Sequence, residues 1–238
     1  GCEPEPNDPR DLLGAKMLSP IIPEKRIDWR ELGYLTKVKN QLNTNCCTGE
    51  GSIGAFESLK IIKKNEKLDF SELFTYWNAR NFEGATQYDG GAFIRDALKS
   101  LNQNGACFEA YWNFDVNNVM KKPSWIAYFG ARFNKISKYY KLYSLTEIQQ
   151  CLSQKIPVVA GINVYESIED ARKGGEISMP KSNEKQIGGH CIQLAGYDDK
   201  QKEMIIKNSW GEDFGDKGFL YAPYDFMDKF SFDWWAIE

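Results

Sequence analysis

The spacing of hydrophobic residues changes along this chain of 238 residues, from helical in the first part to strand-like in the last. Apolar residues first recur every three to four positions, whereas later segments are short, β-branched and bounded by turn residues. The predicted helices are Cys46–Lys64, Phe70–Asn81, Gly91–Gln103 and Leu145–Gln154. The predicted strands are Pro157–Val164, His190–Tyr197, Glu203–Asn208 and Gly218–Tyr221. Helices followed by strands predict an α+β protein with a helical half and a sheet half.

The first predicted helix contains several glycines. Its apolar face is formed, at helical spacing, by Ile53, Phe56, Leu59 and Ile62. Gly49, Gly51 and Gly54 each weaken a helix by about 1 kcal/mol relative to alanine. We therefore expect another backbone or a ligand to approach this helix closely, and tight packing against a neighbouring helix is a compatible reason.

Residues 1–26 are rich in proline and charge, which predicts an extended N-terminal leader before a single domain over residues 27–238. Cys2 is followed by polar residues and prolines, a pattern compatible with a lipid-modified cysteine on a flexible tether, as in exported bacterial lipoproteins. A cytoplasmic protein is the alternative. The sequence leaves the compartment open.

Charge and composition argue against several classes of function. The net charge is −3 and the pI is near 5.5, so no basic surface for nucleic acid is expected. The longest apolar runs, such as Ile156–Ile162, are too short to span a bilayer. Six cysteines without a C-x-x-C pair, together with one histidine, predict neither a structural zinc site nor a disulfide framework. We expect no metal, no cofactor and a monomer.

The only histidine, His190, fixes the place of any imidazole chemistry. It lies in the segment Gly188–Asp198, and Lys207–Gly211 follows within the length of one hairpin. Upstream, Gln41 precedes the pair Cys46–Cys47, which opens a stretch of small residues. A thiol, one imidazole, an amide to orient the imidazole and a glutamine donor are the parts of a cysteine nucleophile site.

Several segments resemble papain-like cysteine peptidases. Asp28–Gln41 is similar to the mature start of such an enzyme, Gly188–Asp198 to its histidine motif and Asn208–Gly211 to its asparagine motif. Tyr88–Ser100 and Gly215–Tyr221 are similar to the bacterial branch of the family. The resemblance implies a two-lobed papain-like fold, with a helical lobe over about residues 36–122 and a barrel-like antiparallel lobe over about residues 123–238. It also implies an endopeptidase that cleaves peptides or proteins through an acyl-enzyme thioester.

In the family, the glutamine that stabilises the oxyanion lies six residues before the nucleophile. Gln41 therefore points to Cys47 as the nucleophile. A helix N-terminus and a neighbouring imidazolium lower a cysteine pKa from about 8.5 to roughly 3.5–7.5. His190 is expected to hold the proton and deliver it to the leaving amine, and Asn208 to orient the imidazole ring. Gln41 and the Cys47 N–H are expected to stabilise the oxyanion.

The resemblance also implies residues that bind substrate. Gly90 and Gly91 are similar to the glycine pair that holds the substrate backbone, with Gly189 beside the histidine. Trp210 is expected to cover the hydrogen bond between the histidine and the asparagine. Candidates for the second subsite are Phe93, Gly161, Gly188 and Cys191.

Alternatives to this interpretation remain open. Aligning Ala55-Phe56 with the family's Cys-Trp-Ala-Phe places Ile53 in the nucleophile position, which implies an inactive binding protein with a papain-like fold. Cys46 is a second candidate nucleophile, and a disulfide between adjacent cysteines would silence Cys47. Transfer of the acyl group to an amine is a third function, because the same thioester serves it. The sequence also departs from the family at Leu42 and Thr44, where a glycine and a disulfide cysteine are usual.

Overall fold

The helices and strands follow the order that the hydrophobic pattern predicts. A computed structural model describes residues 1–238. The six α-helices are α1 (Cys47–Lys64), α2 (Glu72–Phe82), α3 (Ile94–Gln103), α4 (Trp125–Ala131), α5 (Leu145–Ser153) and α6 (Tyr224–Phe230). The seven strands are β1 (Arg26–Asp28), β2 (Tyr139–Leu142), β3 (Val158–Tyr165), β4 (Gln186–Asp198), β5 (Glu203–Lys207), β6 (Phe219–Pro223) and β7 (Ser231–Ile237). The predicted α+β class is confirmed.

Helix starts are set by local capping chemistry. The Ser71 hydroxyl accepts from the Phe74 N–H at the start of α2, and the Ser144 hydroxyl accepts from the Glu147 N–H at the start of α5. The predicted third helix begins three residues late, at Ile94, because the preceding residues are extended up to Phe93 at the N-cap. α4, α6, β1, β2 and β7 are absent from the sequence prediction. β1 and β2 have only three and four residues, too few for a clear alternating pattern.

The strands form one antiparallel sheet in the order β2-β7-β3-β4-β5-β6, with β1 added to the end of β4. The sheet is open, because β2 and β6 at its ends each pair with one strand only. β4 is the longest strand, at 13 residues, and pairs with β1, β3 and β5. It therefore anchors the sheet and carries His190 in its first half.

Two hydrophobic cores cover the two faces of this sheet. One packs α5 and α6 against strand residues such as Ile192 and Leu194. The other packs α1 and α3 against residues that include Cys191, Val159 and Trp235. Residues 191 and 192 are neighbours on β4 and face opposite cores, as the alternation of a strand requires.

α1 packs unusually close to β4. A Cβ atom at Gly51 would lie 2.8 Å from the Cys191 Sγ, and one at Gly54 would lie 2.6 Å from the Gln193 Oε1. Gly49 faces the other way, toward the Glu72 carbonyl oxygen of α2. The glycines of the first helix thus serve backbone approach, as the sequence predicts, and the partners are a strand and a helix.

A buried ionic cluster ties the loop before α1 to both α1 and α2. The Lys39 ammonium contacts carboxylates of Glu57, Asp69 and Glu72, and those carboxylates lie within 4.8 Å of one another. Burial raises the pKa of Glu72 to about 7, because one ammonium cannot neutralise several buried carboxylates. Lys39 therefore serves as the shared counter-ion of the group.

In the leader, predicted as residues 1–26, the only regular element before β1 begins at Arg26 is a short 3₁₀ turn at Gly14–Lys16. The firmest anchor of the leader is Glu5, whose carboxylate accepts from the Trp235 Nε1 at 2.6 Å and pairs with Lys141 at 3.2 Å. Arg95 of α3 pairs with Asp11 at 2.8 Å. None of the six helices has both the length and the apolar character needed to cross a membrane.

The close contact of α1 with β4 predicts the effect of adding a side chain to α1 at that contact. Gly51→Ala is expected to destabilise the protein, because overpacking costs about 1–3 kcal/mol and the gain in helix propensity returns about 1 kcal/mol. In a Cys191→Ala background, where the opposing sulfur is gone, the same change should instead stabilise by up to about 1 kcal/mol. Urea unfolding of the four proteins measures this difference. Equal effects of Gly51→Ala in both backgrounds would contradict the packing.

Candidate active site

The sulfur of Cys47 and the ring of His190 line one cavity of about 180 Å³, which Gln41, Gly189 and Trp210 also line. Cys47 is the first residue of α1, so its side chain lies at the positive end of the helix dipole. His190 lies on β4, next to the residues that pack on α1. Five of the eight residues that the sequence assigns to the site therefore line this cavity.

The other candidates for the nucleophile position lie elsewhere. Cys46 caps α1, its sulfur accepts from the Thr44 hydroxyl at 3.0 Å, and its side chain packs against Leu73 and Tyr76 of α2. Ile53 is fully buried in the core beneath the sheet. Cys46 and Cys47 are both free thiols, and their side chains belong to different clusters.

Asn208 and Trp210 hold the imidazole on two sides. The Nε2 atom of His190 lies 2.7 Å from the Asn208 Oδ1, a distance that places the ring proton on Nε2 as the donor. The Trp210 ring stacks on the imidazole, with centroids 4.6 Å apart and planes at 29°. The opposite nitrogen, Nδ1, remains for the proton exchange that a thiol requires.

Gln41 is held by a short bridge between the loop before α1 and the loop after β5. Its backbone N–H donates to the Ser209 carbonyl oxygen at 2.9 Å, and its Oε1 accepts from the Ser209 hydroxyl at 2.8 Å. One hydrogen of its Nε2 goes to the Thr44 carbonyl oxygen at 2.9 Å. The second Nε2 hydrogen is left for a ligand in the cavity. Ser209 is a positioning residue that the sequence analysis missed.

Gly1 and Cys2 of the leader lie in the cleft. The Cys2 N–H donates to the Gly189 carbonyl oxygen at 3.1 Å, and the Ala92 N–H donates to the Gly1 carbonyl oxygen at 3.1 Å. A Cβ at Gly1 would lie 3.0 Å from the Cys47 sulfur. The backbone of Gly1 and Cys2 therefore runs between Gly189 and the loop of Gly90 and Gly91, which we call the glycine loop, and it contacts the Cys47 thiol. No signal in the sequence indicated this contact.

Close approach of this peptide explains two of the predicted glycines. A Cβ at Gly91, where φ is +93°, would overlap the Gly1 carbonyl, and a Cβ at Gly189 would overlap the Cys2 carbonyl oxygen. Gly90 instead faces the ring of Tyr88 and touches no part of the leader in this way. The hydrogen bond to the leader comes from Ala92, next to the predicted pair.

The glycine loop is fixed to the start of α1 by Asp89. Its carboxylate accepts from the Asn45 N–H at 3.0 Å and from the Tyr76 hydroxyl at 2.5 Å, and the same hydroxyl accepts from the Gly91 N–H at 2.9 Å. These residues set the width of the cleft between Cys47 and the loop. The sequence offered no local pattern from which this network could be found.

The candidates for the second subsite are placed in different surroundings. Cys2 is 1% exposed and packs in one cluster with Cys191, and Phe232 borders that cluster. Gly161 faces the Phe232 ring, so this ring occupies the space that a larger residue on β3 would fill. Gly188 has open space beside it, and Phe93 lies at the start of α3, with its N–H bound to Glu83.

Burial governs the charge of the two central groups. It raises the pKa of the Cys47 thiol, while the Gly1 amino group and backbone groups of Cys191 and Thr48 act to lower it. Burial lowers the pKa of His190 to about 4, although the hydrogen bond that His190 donates to the Asn208 oxygen acts to raise it. With the leader in the cleft, burial therefore favours the neutral thiol and the neutral imidazole. Solvent in the place of Gly1 and Cys2 would lessen this burial and so favour the ion pair expected from the sequence.

Known proteins that are similar to this chain include cysteine proteases. The family model described as papain family cysteine protease matches residues 22–227. An uncharacterized peptidase-like protein of Acanthamoeba polyphaga mimivirus is 30% identical over 93% of the chain and 76% of its own length. The viral cathepsin of Cydia pomonella granulosis virus is 29% identical, and the chain spans 59% of its length. The crystal structure of xylellain, a cysteine protease from Xylella fastidiosa, superposes with a TM-score of 0.90 at 29% identity, over all of this chain and 95% of that one.

The occupied cleft predicts that the leader shields the thiol. Removing residues 1–4 keeps the Glu5 anchor but takes the peptide away from Cys47. Alkylation of Cys47 by iodoacetamide at pH 7 should then accelerate about tenfold or more, because an exposed thiol ionises more readily than a buried one. Mass spectrometry of the labelled peptide measures the rate.

The matched control changes the leader outside the cleft, by Ile21→Ser with Ile22→Ser, and should leave the rate as it is. Equal rates in the shortened and full chains would show that the leader does not cover the thiol.

Proposed function

This chain belongs to the papain family of cysteine proteases, and we propose that Cys47 is its nucleophile and His190 its acid and base. The family makes it a cysteine-type peptidase that acts on peptides or proteins, as the sequence analysis predicted. The observation that carries the assignment of the nucleophile is the cavity that Cys47 shares with His190 and Gln41. Neither Cys46 nor Ile53 lines that cavity. Cys46 packs with Leu73 and Tyr76 of α2, and Ile53 packs in the core beneath the sheet.

In the proposed first step, His190 takes the thiol proton and the Cys47 sulfur attacks the carbonyl carbon of the scissile peptide bond. The tetrahedral intermediate collapses when the C–N bond breaks and His190 delivers the proton to the leaving amine. In the second step, His190 deprotonates a water, whose oxygen attacks the thioester. The C–S bond then breaks, the acid product leaves, and the thiol regains its proton.

Two donors are proposed for the oxyanion. These are the free hydrogen of Gln41 Nε2 and the backbone N–H of Cys47, which is unpaired within the helix because it is in the first turn. One such donor is typically worth about 3–4 kcal/mol of transition-state stabilisation. Ser209 supports this role by fixing the Gln41 side chain through its carbonyl end.

Asn208 and Trp210 are proposed as positioning residues. Asn208 holds the imidazole with Nε2 as donor, which leaves Nδ1 toward the thiol. Trp210 covers one face of the ring and limits the access of water to that hydrogen bond. Both residues act through His190 and are not expected to touch the scissile bond.

The substrate is proposed to bind as an extended strand between Gly189 and the loop of Gly90 and Gly91. The leader supports this, since its backbone makes hydrogen bonds on both sides of the cleft, to Gly189 and from Ala92. The leader chain continues out of the cleft through Glu5, so the site accommodates a chain longer than a dipeptide. Cleavage of internal peptide bonds is proposed from the resemblance to the family. A monomer without bound cofactor or nucleic acid remains our expectation.

A peptide library offered to the chain lacking residues 1–4 tests the assignment. Cys47→Ala should lower kcat/KM about 10³-fold or more, because the thioester can no longer form. Cys46→Ala is the matched control and should retain most of the activity, since its sulfur faces α2. Adding amine acceptors distinguishes hydrolysis from acyl transfer by the product formed. Retained cleavage in Cys47→Ala would overturn the proposal, and an inactive parent protein would favour the binding-protein alternative.

A further inference from the structure

An apolar surface stands on the outer side of α4. The side chains of Trp125, Ile126, Phe129 and Phe133 are 75%, 47%, 52% and 68% exposed. At 100° per residue, the three positions on α4, Trp125, Ile126 and Phe129, fall within one arc of about 100° around the helix axis. Phe133 follows in the turn after the helix end at Ala131. The opposite arc, with Ala127 and Ala131, is fully buried. The helix thus presents its large apolar residues outward, the reverse of an ordinary surface helix. We refer to the four residues as the α4 patch.

The α4 patch lies in the most basic segment of an acidic protein. Residues 116–146 contain six lysines and arginines and no aspartate or glutamate, although the whole chain has 33 acidic and 30 basic residues. Five of the six are exposed, and they are Lys121, Lys122, Arg132, Lys135 and Lys138. None of these five takes part in an ion pair of the structure.

One of these cations, Arg132, packs directly on the α4 patch. The Arg132 guanidinium lies 4.0 Å from the ring centroid of Phe129 and 4.6 Å from that of Phe133. The two rings are 6.0 Å apart in an edge-to-face arrangement. A cation held over aromatic rings keeps its charge at the level of the apolar side chains, so one surface presents both to the same partner.

We propose that the α4 patch and its basic rim bind the surface of a membrane that contains anionic lipids. Aromatic side chains favour the level of the lipid headgroups, and each lysine or arginine near an anionic surface adds to the binding. A net charge of −3 repels such a surface, so attachment requires cations beside the apolar residues, as Lys122 lies beside Trp125 and Arg132 over Phe129 and Phe133. The contact is peripheral, since apolar side chains of this size reach only the outer part of the bilayer.

This surface is separate from the cleft. Beneath the patch, α4 rests on α2, where the Tyr128 hydroxyl donates to the Asn78 Oδ1 at 2.8 Å and its ring packs on Phe74 at 4.9 Å. No residue of the patch lines the cavity of Cys47 and His190. The proposed contact also does not involve Cys2, which is buried in the cleft. Membrane binding would therefore not cover the cleft.

Vesicle sedimentation tests the proposal with the full chain. Phosphatidylcholine vesicles containing phosphatidylglycerol should bind the protein, and pure phosphatidylcholine vesicles should bind it far less. High salt should weaken binding, because exposed charges are screened. Trp125→Ser with Phe129→Ser removes the apolar part, and Lys121→Glu, Lys122→Glu and Arg132→Glu together reverse the rim. Each set should lower the vesicle affinity about tenfold or more.

Matched controls alter equally exposed residues outside the segment. Ile22→Ser controls for loss of an apolar side chain, and Lys25→Glu, Lys181→Glu and Lys200→Glu together control for charge. All variants should keep the thermal unfolding midpoint, and the same changes in the chain lacking residues 1–4 should keep the cleavage rate of a soluble peptide. The proposal fails if anionic vesicles do not bind the protein, or if patch and control variants bind alike. It also fails if the patch variants instead break a dimer in sedimentation velocity or abolish binding to single-stranded RNA.

Discussion

The contact between the start of α1 and the middle of β4 is the constraint on which the rest of the structure depends. Because Gly51 and Gly54 carry no side chain, the helix backbone reaches the Cys191–Gln193 segment directly. The helix therefore brings Cys47 and its N-terminal dipole to the strand that carries His190. β5, the neighbour of β4, then leads into Asn208, and Ser209 beyond it fixes Gln41. A small change in the distance between α1 and β4 would therefore move Cys47 away from His190.

The leader adds a second constraint, on charge. While Gly1 and Cys2 fill the cleft, burial favours a neutral thiol and a neutral imidazole. Solvent in the same place would reduce that burial and so favour movement of the proton from sulfur to nitrogen before a substrate binds. The same hydrogen bonds that hold the leader are the ones proposed for substrate, so occupancy by the leader and catalysis exclude each other. When Gly1 and Cys2 leave the cleft, the buried Glu5 still holds the leader near it, because the contact of Glu5 with Trp235 lies outside the cavity.

Most of the fold could be predicted from local pattern, and much of the site from motif spacing. The helical period located α1, and alternating or β-branched segments located β3, β4 and β5 to within a few residues. Gln41, Cys47, His190 and Asn208 could be named because each lies in a distinctive short segment. The position of the leader, the Asp89 network and the exposure of Trp125 could not, because each depends on contacts between residues far apart in sequence. β7 was missed for a similar reason, since its pairing with β2 and β3 decides its conformation.

The lone imidazole allows a direct test of the central claim that α1 and β4 bring Cys47 and His190 together. NMR titration of the chain without residues 1–4 yields one imidazole signal, which belongs to His190 because the chain has no other histidine. If thiol and imidazole share a proton, Cys47→Ala should lower the pKa of His190, because the thiolate no longer stabilises the imidazolium. Cys46→Ala should leave it unchanged. An identical His190 titration with and without the Cys47 sulfur would contradict the account.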